Sequence, residues 1–222
     1  MKLTVLADAQ AVAREAVARI LESASGALKA RGVFRWVLAG GGTPRLAYEL
    51  LVQANRDWRG WQFYLGDERC LPPDDPERNS RMLDQALFRQ AAIEQEQIHM
   101  IPAQLGAETG AAVYAETIRN SLPFDLVLLG LGEDGHTASL FPGHEYAPDA
   151  LVVPVHDAPK PPPDRISLGY GALSSARQLL FLVNGTGKHP ALSAWRAGKD
   201  IPPARIAAED VQVLADQAAA NG

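Results

Sequence analysis

Apolar positions along this chain alternate between two spacings. After a short apolar run at residues 3 to 6, Val12, Ala16, Val17, Ile20, Leu21, Ala24 and Leu28 recur at the three-to-four spacing that lines one helix face, and Asp8 stands where it can cap the first turn. Apolar segments at 36–39, 61–65, 151–155, 166–168 and 179–183 predict strands, and Phe124–Leu129 is nearly continuous, as a strand buried on both faces should be. Helical spacing returns from Pro44, over 79–90 and 108–119, after Lys188 and over 209–219, with a short strand expected at 99–101. The alternation predicts an α/β fold: an open, mostly parallel twisted sheet with helices on both faces, forming a single domain over residues 1–222. Pro159-Lys160-Pro161-Pro162-Pro163 is read as a stiff surface loop inside that domain, because strands flank it closely on both sides.

Composition narrows what such a domain can bind. With 47% apolar residues in 222 there is enough material for a proper core, and one cysteine excludes a disulfide framework. The net charge of −5 and the lack of a Lys/Arg block argue against a nucleic-acid partner, while a local basic cluster can still hold one phosphate. Asp8 interrupts the apolar start after five residues, short of the roughly 7 to 15 of a signal peptide, and no apolar stretch of about 18 residues is present to span a bilayer. The expectation is a soluble cytoplasmic protein without a membrane partner, a monomer with an oligomer as the alternative.

Three polar, glycine-bearing segments each follow a predicted strand: Gly40-Gly41-Gly42-Thr43-Pro44, Gly66-Asp67-Glu68-Arg69, and Gly130 through His136. In an open parallel sheet the carboxyl ends of the strands share one edge, so these loops should meet there. The first suits an anion: its glycines let backbone N–H groups approach closely, Thr43 can cap the helix, and Pro44 fits the first helical position. A plain tight turn is the competing reading. It is neither a Walker A loop nor Gly-x-Gly-x-x-Gly, so a nucleotide cofactor is disfavoured.

In the third loop Asp134 and His136 flank Gly135, and Thr137-Ala138-Ser139 reads as the start of a helix. A histidine beside a carboxylate is a candidate general base, with an incidental surface pair as the alternative. His99, His144, His156 and His189 lack such a setting. Lys188, beyond the turn Asn184-Gly185-Thr186-Gly187, and Arg165, at a strand start, are candidate anion partners. No Gly-x-Ser-x-Gly elbow is present, Cys70 reads as packing rather than a nucleophile, and the histidines show no ligand spacing, so no metal is expected.

The segments Leu38–Pro44, Gly66–Pro72 with Asn79, Gly130–Gly143 and Pro159–Ile166 followed by Gly185–Lys188 resemble, in order, those of the 6-phosphogluconolactonases within the sugar-phosphate isomerase/deaminase-like superfamily. The resemblance covers about residues 38 to 192 and implies a Rossmann-like α/β fold and hydrolysis of 6-phospho-D-glucono-1,5-lactone, without metal or organic cofactor. It implies that His136 acts as general base, with Asp134 orienting it and Asp67 able to share that role. It further implies substrate binding by Gly41, Gly42 and Thr43, phosphate binding by Arg165 and Lys188, and contacts from Arg69 and Asn79. Two departures stand out: Arg78 replaces the family's serine before Asn79, and His189-Pro190 follows the lysine where alanine is common. The related amino-sugar-phosphate deaminases continue from their histidine into a segment with a catalytic glutamate, whereas Thr137–Pro142 here contains none. A non-catalytic sugar-phosphate sensor is the remaining alternative, disfavoured by the ready acid–base pair.

Overall fold

The computed structural model describes residues 1–54 and 57–222. In chain order the elements are β1 (Lys2–Leu6), α1 (Ala9–Arg31), β2 (Phe34–Leu38), α2 (Gly42–Gln53), β3 (Trp61–Leu65), β4 (Asp67–Arg69), α3 (Asn79–Ala86), β5 (Ile98–His99), α4 (Ala107–Arg119), β6 (Leu126–Gly130), β7 (Val152–Val155), β8 (Arg165–Leu168), α5 (Tyr170–Ser174), β9 (Gln178–Val183), α6 (His189–Arg196), β10 (Asp210–Asp216) and α7 (Gln217–Asn221). Seven strands form one sheet in the order β1-β10-β9-β6-β2-β3-β5, parallel at every pairing. A second, antiparallel sheet, β4-β8-β7, stands beside it.

Helices cover both faces of the large sheet. Successive side chains of a strand point to opposite faces, and Trp36 packs edge-on against Tyr48 of α2, with ring centroids 5.7 Å apart. Tyr64 pairs in register with Val37, and so lies on the other face, where its hydroxyl meets Ser121 just beyond α4. The core between is continuous, from Val12, Ala16 and Ile20 of α1 through Trp36, Phe63, Leu128 and Phe181 to Val213 of β10. Buried strand residues such as Leu126–Leu129 show why that stretch reads as one apolar run.

The side on which successive strands are added switches at β2. From β2 the chain extends one way through β3 to β5, and the other way through β6, β9 and β10. The loops leaving the carboxyl ends of neighbouring β2 and β6 therefore diverge, which opens a crevice at that edge.

Several local expectations change. Residues 209–219 are not a helix: Asp210–Asp216 is strand β10, inserted between β1 and β9, and only Gln217–Asn221 is helical. Asp67–Arg69 is a strand rather than a loop, because it pairs with Arg165–Ser167. Thr137–Ser139 starts no helix; Thr137 and Leu140 bond to each other across a tight turn with Ala138 at φ 49°. Helix α3 stops at Ala86 and a separate 3-10 turn covers 88–90, and the strand expected at 99–101 is Ile98–His99. Asp8 does cap α1, accepting from Ala11 N at 2.7 Å. The proline segment joins β7 to β8, which are antiparallel neighbours.

Candidate active site

The crevice holds a cavity of about 260 Å³. Its walls come from the segments after β2, β6 and β9, from β4 and from the starts of α2, α3 and β8, and they include Gly41, Gly42, Thr43, Asp67, Arg69, Asn79, His136, Arg165 and Lys188. Nine of the ten candidate residues thus meet around one space, and the tenth, Asp134, touches His136.

The Asp134–His136 pair is built by the loop after β6. Asp134 Oδ1 lies 2.5 Å from His136 Nδ1 and also accepts from the His136 backbone N–H at 3.1 Å. Partial burial disfavours the Asp134 carboxylate, but the His136 backbone N–H, the imidazole charge and its ring N–H outweigh that and hold its pKa below the ordinary value. Gly132 is needed beneath the pair, since a Cβ there would run into both His136 Nδ1 and Asp134 Oδ1. With Nδ1 taken by Asp134, Nε2 is the ring nitrogen left for chemistry. The ring also packs on Phe141 at 4.8 Å.

Asp67, expected to be able to share the orienting role, has its hydrogen-bond partners elsewhere among the described residues. Its carboxylate accepts from Ser139 Oγ at 2.6 Å and from Asn79 Nδ2 at 3.0 Å, so both oxygens are engaged away from His136. Asn79 is held in turn: its backbone N–H donates to Glu68 Oε1, and its side chain sits against Gly40, where a Cβ would overlap the carboxamide.

Glu68 was not singled out by sequence reasoning, yet it organises this corner. Fully buried, it accepts from the backbone N–H groups of Arg69, Asn79 and Ser80 and pairs with buried Arg78 at 3.3 Å. A carboxylate at the first turn of α3 is favoured by the exposed N–H groups there. Arg78, the departure from the family serine, thus faces inward, and it also donates to the carbonyls of Leu71 and Ile101.

The cations come from separate elements. Arg165 is nearly buried at 5% exposure; its Nε and Nη2 donate to the carbonyls of Pro162, Lys160 and Pro161, and its guanidinium lies over Phe141 at 5.6 Å. Burial first, and the neighbouring charge of Arg69 second, push its pKa down. The proline loop is therefore the support on which this arginine rests. Arg69 Nη1 donates to the Glu77 carbonyl, and its buried Nε has no partner among the described residues. Lys188 stands in the short turn that leads into α6.

Two expectations at the glycine loop change. Gly41 occupies the cap position of α2, so Pro44 is its third helical residue rather than its first. The Thr43 hydroxyl does not cap the helix; it donates to Asn184 Oδ1 at 2.7 Å. Asn184 also lines the cavity and was missed, because an asparagine before glycine after a strand reads as an ordinary turn. Cys70 is half-buried, and burial with the charge of Asp164 raises its thiol to about 11, which leaves little thiolate near neutrality. Among the described residues no group of three or more His, Cys, Asp or Glu is placed to hold a metal, and no helix is long and apolar enough to cross a membrane.

Comparison with known proteins places the chain among relatives. A 6-phosphogluconolactonase of Streptomyces coelicolor is 36% identical over 217 residues, covering 89% of this chain and 83% of that protein. A probable 6-phosphogluconolactonase of Schizosaccharomyces pombe is 34% identical over 207 residues, covering 85% and 80%. The crystal structure of 6-phosphogluconolactonase from Thermotoga maritima superposes with a TM-score of 0.88 at 29% identity, over 97% of this chain and 98% of that one. The family model described as glucosamine-6-phosphate isomerases/6-phosphogluconolactonase matches residues 7–215, and the chain belongs to that family.

Proposed function

We infer that this chain is a 6-phosphogluconolactonase, hydrolysing 6-phospho-D-glucono-1,5-lactone to 6-phospho-D-gluconate in the oxidative pentose phosphate pathway. The observation that carries the reading is the Asp134–His136 contact at 2.5 Å on the wall of a cavity that also presents Arg69, Arg165 and Lys188. A single acid–base group and a cluster of cations suit a neutral ester joined to a phosphate.

In this reading His136 Nε2 takes a proton from water as the water oxygen bonds to C1 of the lactone. Asp134 stabilises the imidazolium that results. The tetrahedral intermediate then expels the ring oxygen, which receives the proton from His136 as the C1–O bond breaks. The new carboxylic acid loses its proton to solvent, and the imidazole is neutral again. Negative charge on the carbonyl oxygen develops in a cavity already lined by cations and by the first turn of α2, which stabilise it without rearrangement. Arg165 and Lys188 hold the phosphate, and that binding energy positions the reacting carbonyl. Arg165 suits the task because its Nε and Nη2 are engaged by the proline loop, leaving Nη1 for the ligand. Asp67 and Asn79 act by shaping the wall, Asp67 held between Ser139 and Asn79.

The experiment is acid release from freshly prepared phosphogluconolactone, corrected for spontaneous ring opening. A rate no faster than spontaneous opening would refute the reading, and ammonia released catalytically from glucosamine 6-phosphate would replace it with the deaminase.

A further inference from the structure

The Thr43–Asn184 contact joins two walls of the cavity, the first turn of α2 and the carboxyl end of β9, across 141 residues of sequence. Its polarity decides what it can bind. Because the Thr43 hydroxyl donates its one hydrogen to Asn184 Oδ1, its oxygen faces any ligand as an acceptor only. The same bond turns the carboxamide so that its NH2 lies away from Thr43, and no described residue accepts from Nδ2, which is not sealed inside the protein.

This arrangement is poorly matched to a phosphate, which has acceptors to offer and would meet the Thr43 lone pairs. It matches a hydroxyl, which can donate to Thr43 Oγ1 and accept from Asn184 Nδ2 at once. The backbone behind it is fixed. Asn184 directly follows β9, a strand paired on both sides by β6 and β10, and the next N–H, of Gly185, is held by both carboxylate oxygens of Asp216 at 3.1 Å. Asp216 is itself anchored as the cap of α7. A donor and an acceptor held this rigidly lose little freedom on binding, which is the condition for selective recognition.

Resting on the lactonase reading above, we propose that Asn184, with Thr43, reads one of the free ring hydroxyls of the sugar lactone and so sets selectivity for a hydroxylated substrate, while the phosphate is held elsewhere in the cavity. The pair acts on substrate choice and not on the proton transfers, which belong to His136.

The test compares kcat/KM for the parent phosphogluconolactone with that for its 2-, 3- and 4-deoxy analogues in the wild type, Asn184→Ala and Asn184→Asp. The aspartate keeps an acceptor for Thr43 and removes the donor; the charge it adds acts on the parent and its analogues alike, so the ratios answer the question if the alanine variant folds poorly. The wild type should discriminate against one deoxy analogue, and both variants should lower that ratio about tenfold, the scale of one hydrogen bond, while leaving the other two ratios unchanged. Thr43→Val should give the same loss, and combining it with Asn184→Ala should add little. Inhibition by inorganic phosphate should be unchanged in Asn184→Ala. Equal losses on the parent and all three analogues, or weakened phosphate inhibition with unchanged ratios, would overturn the proposal. A wild type that fails to accelerate lactone opening would instead refute the underlying activity.

Discussion

The Ser139 hydroxyl donates to the Asp67 carboxylate at 2.6 Å, tying the loop after β6 to β4 across 72 residues of sequence. That bond sets Asp67, in the cavity wall, apart from Asp134 behind His136. Asp67 is committed to Ser139 and Asn79, and His136 is left with Asp134 as its carboxylate partner.

Removing the Ser139 hydroxyl tests the division. Asp67 is only 8% exposed, so Ser139→Ala leaves a nearly buried carboxylate short of a donor, at a cost of about 1–3 kcal/mol. The urea midpoint should fall, while the pH profile of activity keeps its shape because Asp134 and His136 are untouched.

His136→Ala should lower kcat by roughly 10²- to 10⁴-fold and retain binding of the phosphogluconate product, as measured by calorimetry. Asp134→Asn should lower kcat less, because the imidazole loses the carboxylate paired with its Nδ1 but keeps Nε2. The same pairing holds Asp134 below its ordinary value of 3.8, so its contribution to stability is present above that pH and is lost as pH falls through the depressed value. Asp134→Asn should therefore flatten the acid end of the stability curve.

Lys188→Ala should raise KM for the phosphorylated lactone by roughly tenfold to a hundredfold, the scale of a hydrogen bond to a charged group, with kcat much less affected. Unphosphorylated gluconolactone should be turned over equally by both proteins. A parallel loss on both substrates would remove the lysine from phosphate binding.

Gly132→Ala places a methyl group against His136 Nδ1 and Asp134 Oδ1. Activity should drop on the order of a hundredfold, from misplacement of the reacting groups alone. Circular dichroism should be unchanged, because the loop lies at the end of β6 rather than in the core.

Much of this site was legible because its glycine loops follow strands, and the parallel sheet forces them onto one edge. What escaped was decided by distant partners. Val211, Val213 and Ala215 alternate as strand residues do, yet the Ala-rich tail beyond Asp216 extends a helical reading over 209–219. Only pairing on both sides, with β1 and β9, settles that segment as β10. Asp67–Arg69 is too polar to read as a strand, and its placement depends on β8 and on burying Glu68 against Arg78. Thr137–Ser139 carries residues that suit a helix start, but Ala138 turns left-handed so that Ser139 can reach Asp67. No local pattern announces such a bond.

The place of β10 also sets a schedule for folding. The strand partner of β1 among the described residues is β10, so β1 waits for residues 210–216 to be synthesised before it can pair. At about 5–20 residues per second that wait lasts on the order of ten seconds or more, with α1 and the central strands free to assemble meanwhile. The same late segment delivers Asp216, which clamps Gly185 beside Asn184. The β9 wall of the cavity is thus locked by a segment made after it, and ligand-binding competence should arrive only once β10 has been synthesised and paired, rather than grow with the strands before it.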